Sequence, residues 1–163
     1  MENREEMEEY WMWLCSVPGL YGKQILRLAD YFGSPRAVYE APEAELARWQ
    51  SGKAATGILE GKARGADQET VRETNWARRI LECRNSCSPE AVSHRLREQG
   101  INFISYQSRG FPERLRHIPD CPAGLFFRGR LPEDGRPSVA VVGARQCSNY
   151  GRTLARELGG ALA

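Results

Sequence analysis

Apolar residues return at helical spacing along most of the first hundred positions. Met7, Tyr10, Trp11 and Leu14 fall at i, i+3, i+4 and i+7 and predict a first amphipathic helix, whose acidic N-terminal turn suits the helix dipole. The helix is expected to end near Ser16. A turn, Val17-Pro18-Gly19-Leu20-Tyr21-Gly22-Lys23, leads into Ile25, Leu28, Ala29 and Phe32 on one face of a second helix. Gly33-Ser34-Pro35 reads as a left-handed cap, an N-cap and a first helical position, and Ala41-Pro42 repeats the device. Val38, Leu46 and Trp49 are expected to close a small core with Trp11 and Trp13, so these aromatics pack rather than stack on bases. Trp76, Ile80, Cys83 and Cys87 mark another helical face. Ser88-Pro89 then opens a helix through Gln99 that Gly100 ends.

Two changes interrupt this helical regime. Residues 51–67 are rich in Gly and Ala, with Gly52, Gly57, Gly61 and Gly65, and predict a loop or a degenerate second hairpin at a domain edge. After Gly100, Ile101 to Tyr106 reads as a strand, and Ser138 to Gly151 as a short apolar strand, a tight glycine turn and a helix start. The expected class is α/β: a helical domain over residues 1–66, then the first part of an extended Rossmann-like domain over 67–163. One strand-turn-helix unit of a parallel sheet needs further strands to its C-terminal side, so the chain reads as the front part of a longer protein.

Composition narrows the function only by exclusion. With 41% hydrophobic residues among 163, a globular chain is expected, and no run approaches the roughly 20 apolar residues of a membrane span. Lys and Arg number 23 against 21 Asp and Glu, a net charge of +2 that does not argue for nucleic acid by itself. Any basic surface must be local. Arginine dominates the second half, where solvated surface and a phosphate-facing cluster both account for it. The five cysteines, without a signal peptide, predict reduced thiols in a cytoplasm. Cys83 and Cys87 could form half of a zinc site, but no second pair or histidine spacing completes it, so buried helix-face thiols are expected and no metal. Neither His94 nor His117 has an evident nucleophile partner.

The turn after Val142 carries the chemistry. Gly143-Ala144-Arg145 departs from the dinucleotide fingerprint Gly-x-Gly-x-x-Gly, and no Walker A sequence is present, so no cofactor is expected. The turn offers Gly143 for close backbone approach, the Arg145 guanidinium, the hydroxyls of Ser148 and Tyr150, and Gly151 near the helix start. Such groups grip a phosphodiester, since a planar guanidinium donates two bonds to phosphate oxygens and helix N-terminal N–H groups donate more. They position a strand without reading its sequence. Arg145 has a second reading as a brace for the sheet edge, and Tyr150 as a packing residue. No paired carboxylates, nucleophile-base pair or metal cluster stands beside the turn, so no catalytic residue is assigned and binding, not catalysis, is expected.

The earlier turn, with its apolar-x-Gly-apolar-x-Gly pattern between two helices, resembles the helix-hairpin-helix and the related sterile-alpha-motif-like (SAM-like) domains. That resemblance implies phosphate contact at Gly19 and Gly22, assisted by Lys23 and Arg27; an ordinary helical hairpin with a glycine turn is the other reading.

Taken in order, Gly100 to Tyr106, Phe111-Pro112 followed by Leu115, Ile118-Pro119-Asp120 with Pro122, Leu125 to Gly129, and the Val142 to Gly151 turn resemble the DNA-processing protein A family (DprA, also called Smf). Phe111 stands where Tyr is usual, which removes a hydroxyl and leaves a packing role. The resemblance implies a cytoplasmic single-stranded DNA-binding protein of natural transformation and recombination. It would protect incoming DNA and help load the RecA recombinase. It also implies a homodimer of the full-length protein through a surface in the later part of the family's sequence. Two other classes stay open: a nucleotide-processing Rossmann enzyme of the lysine-decarboxylase-like group, and a truncated helical interaction module.

Overall fold

In the computed structural model, residues 4–50 and 76–162 are described. The predicted glycine loop over 51–67 and the domain edge at 66–67 lie outside the described residues. The elements are α1 (Arg4–Ser16), α2 (Gly22–Phe32), α3 (Pro35–Glu40), α4 (Glu43–Gln50), α5 (Trp76–Ser86), α6 (Pro89–Glu98), β1 (Asn102–Ser105), the single turn α7 (Glu113–Arg116), β2 (Gly124–Phe127) and α8 (Asn149–Leu162). They fall into two compact units, Met1–Leu131 and Pro132–Ala163.

The first unit is organised around α1. Its predicted face is buried at Tyr10, Trp11 and Leu14, but Trp13 and Val17 are buried as well. At 3.6 residues per turn Trp11 and Trp13 point about 200° apart, so one amphipathic stripe does not describe this helix. Neighbours on several sides are the cause: α2, α3, α6 and both strands all pack against α1. Thus α5, α6 and the hairpin, expected in a second domain, share a core with α1 to α4. Val38 and Leu46 join that core and Trp49 packs against it, as the sequence predicts.

Local signals set the helix ends. Gly33 caps α2 in the left-handed region (φ +87°), where a side chain would be strained, and its N–H donates to the Asp30 carbonyl at 3.3 Å. The Ser34 hydroxyl accepts from the Ala37 N–H at 3.0 Å, and that of Ser88 from Ala91 at 3.3 Å, each with proline at the first helical position.

The sheet differs from the parallel arrangement expected. β1 and β2 pair antiparallel, Asn102 opposite Phe127 and Ser105 opposite Gly124. Their connection contains only the single turn α7, with no crossover helix to return the chain for a parallel partner. Phe103 and Phe126 face each other across the pair with ring centroids 4.9 Å apart. Arg116 fixes the intervening loop by donating to the carbonyls of Tyr106 and Ser108, its guanidinium 4.8 Å from the Tyr106 ring and 5.2 Å from that of Phe111. Phe111 is buried, in keeping with a packing role.

In the second unit, the predicted strand at 139–142 is not formed. The segment is irregular and its valines are exposed, Val142 at 90%. A strand needs a ladder, and the described residues supply no partner for it. The parallel layer of the expected Rossmann-like domain is therefore not seen among the described residues, whose helices and one two-stranded sheet are consistent with the α/β class. α8 forms as predicted, with Leu154, Leu158 and Leu162 exposed along one stripe.

Candidate nucleic-acid interface

The Val142 to Gly151 turn is held at its C-terminal end by a helix cap. The Ser148 hydroxyl accepts from the Gly151 N–H at 3.2 Å, and the Ser148 carbonyl accepts from Arg152 at 3.0 Å. Ser148 is thus occupied as a cap through one lone pair, and its O–H is left to donate. The N–H groups of Asn149 and Tyr150 open the helix. No acidic residue lies in its first turn, which leaves the positive end of the dipole uncompensated. Arg152 and Arg156 follow at i, i+4 on α8 and add two exposed cations that the sequence reading did not single out.

Arg145 is exposed, and its side chain has no ion-pair or hydrogen-bond partner among the described residues. Among the described residues of its unit no strand is present for it to brace. Tyr150 is 76% exposed, which excludes packing within its own unit and leaves the ring face accessible. A Cβ at Gly143 would meet nothing within 4 Å, and one at Gly151 only ordinary contacts, so neither glycine is needed by the surrounding protein.

The auxiliary residues lie in the first unit. Gly19 has φ +76°, and an added Cβ would fall 1.8 Å from Nη1 of Arg79. That guanidinium donates to the Pro18 carbonyl at 3.3 Å and lies 5.7 Å from the Trp76 ring. At Gly22 an added Cβ would meet the Cys121 carbonyl oxygen at 2.3 Å. The close backbone approach that both glycines permit is therefore made by this chain itself. Lys23 is half exposed with Asp120 at 3.9 Å, and Arg27 is exposed on α2.

Several arginines that weighed in the sequence as surface or phosphate ligands are structural. Arg84 donates to the Tyr39 and Ala41 carbonyls at 2.8 and 2.9 Å, Arg97 pairs with Glu9 at 3.4 Å, and Arg116 holds its loop. Nothing local announces such roles, because the carbonyls that Arg84 and Arg116 meet and the Glu9 carboxylate that Arg97 meets are set by tertiary structure. Among the described residues no group of three His, Cys, Asp or Glu side chains could hold a metal ion, and no helix is long and apolar enough to cross a membrane.

The thiols differ sharply in environment. Burial pushes Cys15 up to about 12, whereas Cys147 is exposed in the candidate turn. Cys15 therefore stays protonated in the folded chain as pH rises above the ordinary thiol value. An unfolded chain ionises there, so this group's contribution is full below that value and is lost progressively toward pH 12. Iodoacetamide at pH 8 is expected to modify exposed Cys147 rapidly and partly buried Cys15 much more slowly, read by peptide mass spectrometry. Equal rates at the two positions would contradict the shielding of Cys15.

Comparison with known proteins matches the last part of the chain to a family model and nearly the whole chain to a more distant relative. Residues 102–163 match the family model described as DNA recombination-mediator protein A. A "DNA processing protein DprA" of Bacillus subtilis is 41% identical over 64 residues, which are 38% of this chain and 21% of that protein. A "Protein Smf" of a Synechocystis species is 25% identical over 166 aligned residues, spanning 99% of this chain and 36% of that protein. The chain thus spans between a fifth and two-fifths of the length of these relatives. No solved structure matches the chain.

Proposed function

We propose, from the assignment of this chain to the DNA-processing protein A (DprA/Smf) family, that it is part of a single-stranded DNA-binding protein acting in recombination. The observation that carries the reading is the unpartnered Arg145 within the matched segment, just before a helix N-terminus free of acidic residues. The pocket holds a phosphodiester by charge and N–H donation: Arg145 takes phosphate oxygens in a fork, Ser148 and the opening N–H groups of α8 donate beside it, and Tyr150 offers a ring to a base. Gly143 and Gly151 keep the backbone accessible. Lys23 and Arg27 add weaker contacts from the helical unit. The role is binding, without a catalytic step or cofactor.

The strand so held is protected during natural transformation and passed to the RecA recombinase in the cytoplasm. The longer protein acts as a homodimer. These finer statements follow from the family assignment and extend it.

Arg145→Ala is expected to weaken binding of a homopolymeric single strand several-fold. It should also flatten the slope of log K against log salt by about 0.7, the contribution of one phosphate contact on a single strand. Fluorescence anisotropy across a salt series measures both. Unchanged affinity and slope would remove Arg145 from the interface.

A further inference from the structure

The first unit contains a trough that, Arg27 apart, none of the roles above uses. Two adjoining cavities, about 630 and 590 Å³, share Met7, Trp11 and Gln107 in their walls, between α1, α2 and the β1–α7 loop. Each volume falls within the roughly 300–1,000 Å³ of small-molecule sites. One cavity is lined by Arg27 and Asp30, the other by Arg109. The side chains of Arg27, Asp30 and Arg109 are exposed and have no ion-pair or hydrogen-bond partner among the described residues. Arg27 and Asp30 lie three apart on α2 yet do not pair with each other.

A second observation is independent of these charges. Trp11, only 2% exposed, has a buried indole N–H with no acceptor. Buried donors almost always find a partner, and Trp13 on the same helix does, donating to the Cys87 carbonyl at 3.1 Å. The indole that lacks an acceptor is the one that lines the trough.

We infer that this trough is a nucleotide-binding site, in which Asp30 and Gln107 meet the edge of a base while Arg27 or Arg109 holds its phosphate. The donor and acceptor set decides the ligand class. A carboxylate accepts from an exocyclic amino group, an amide both donates and accepts, and a guanidinium takes phosphate in a fork. Apolar Met7, Leu26 and Pro35 line the same cavity as Arg27 and suit the faces of a ring. An acidic peptide would satisfy the two guanidiniums but would set its carboxylates against Asp30 and against Glu8 in the neighbouring cavity. The inference rests on the single-strand reading only in taking a DNA strand as one source of the nucleotide; a free nucleotide is the other.

The test uses the 163-residue chain labelled with ¹⁵N at its four tryptophans, the Trp11 indole signal being assigned with Trp11→Phe. Deoxynucleoside monophosphates and short homopolymeric deoxyoligonucleotides are titrated separately. The Trp11 signal is expected to move saturably, with at least tenfold weaker binding in the Arg27→Ala/Arg109→Ala double variant and an altered base preference in Asp30→Asn. Movement with both probes supports the nucleotide itself as ligand, and movement with oligonucleotides alone supports a strand-borne one. A stationary signal overturns the inference, as does saturation by a glutamate-rich peptide but not by nucleotides. An unchanged base preference in Asp30→Asn overturns the assignment of the base edge. Arg145→Ala separates this site from the other: lost oligonucleotide affinity with a stationary Trp11 signal sinks the trough alone, whereas a moving Trp11 signal with unaltered Arg145→Ala affinity sinks the turn alone.

Discussion

Trp13→Ala is expected to lower the unfolding free energy by about 3–5 kcal/mol, the usual cost of removing a buried tryptophan. The side chain is fully buried, its N–H donates to the Cys87 carbonyl at 3.1 Å, and its ring meets Tyr39 edge-on at 4.8 Å. It therefore ties α1 to α3 and to the junction between α5 and α6. A domain holds only about 5–15 kcal/mol in total, so the loss takes a large share of it. Trp13→Phe should cost less, because it retains a ring and gives up the N–H donor and part of the volume. Urea titration followed by far-ultraviolet circular dichroism measures both, with the midpoint falling and the slope unchanged if the folded and unfolded states are otherwise preserved. A loss below about 1 kcal/mol for the alanine variant would mean that α1 is not the centre of this core.

What was legible in the sequence was what neighbouring residues decide. Gly33-Ser34-Pro35 and Ser88-Pro89 form the caps their local chemistry predicts, and Ile101 to Tyr106 contains β1. Long-range choices were hidden. Trp13 is in the core as expected, but it lies off the apolar stripe of α1, and the other buried sides that the packing of α6 and the hairpin give that helix are not visible in its periodicity. The β1–β2 pairing direction depends on a loop held by Arg116, whose targets are backbone carbonyls that no residue type reveals. The same limit applies to the functional candidates. The helix start near Gly151 was legible, but Ser148, expected as a phosphate donor, also caps α8. The trough joining Arg27 to Arg109 had no sequence signal, since its walls come from α1, α2 and a loop far along the chain. Val139 to Val142 shows the opposite case, a strand-like composition without a partner to make it a strand.

Gly22→Ala is expected to cost about 1–3 kcal/mol or more, because its methyl group has nowhere to go. A Cβ there would lie 2.3 Å from the Cys121 carbonyl oxygen and 3.0 Å from the Pro122 Cα, both backbone atoms that cannot swing aside as a side-chain end would. Conformational freedom is not the reason for this glycine, since its φ is not in the positive region where Gly19 and Gly33 sit. The segment carrying Cys121 and Pro122 must move off the start of α2, taking with it the contact between Lys23 and Asp120. Two readouts follow. The thermal midpoint should fall, and the Cys121 thiol, 8% exposed in the native chain, should become reactive to iodoacetamide. The helix-hairpin-helix account of the same glycine predicts the reverse: stability and thiol protection kept, affinity for single-stranded DNA lost. Measuring all three on one variant decides between a glycine that admits a phosphate and a glycine that admits the protein's own backbone, and the 2.3 Å approach favours the second.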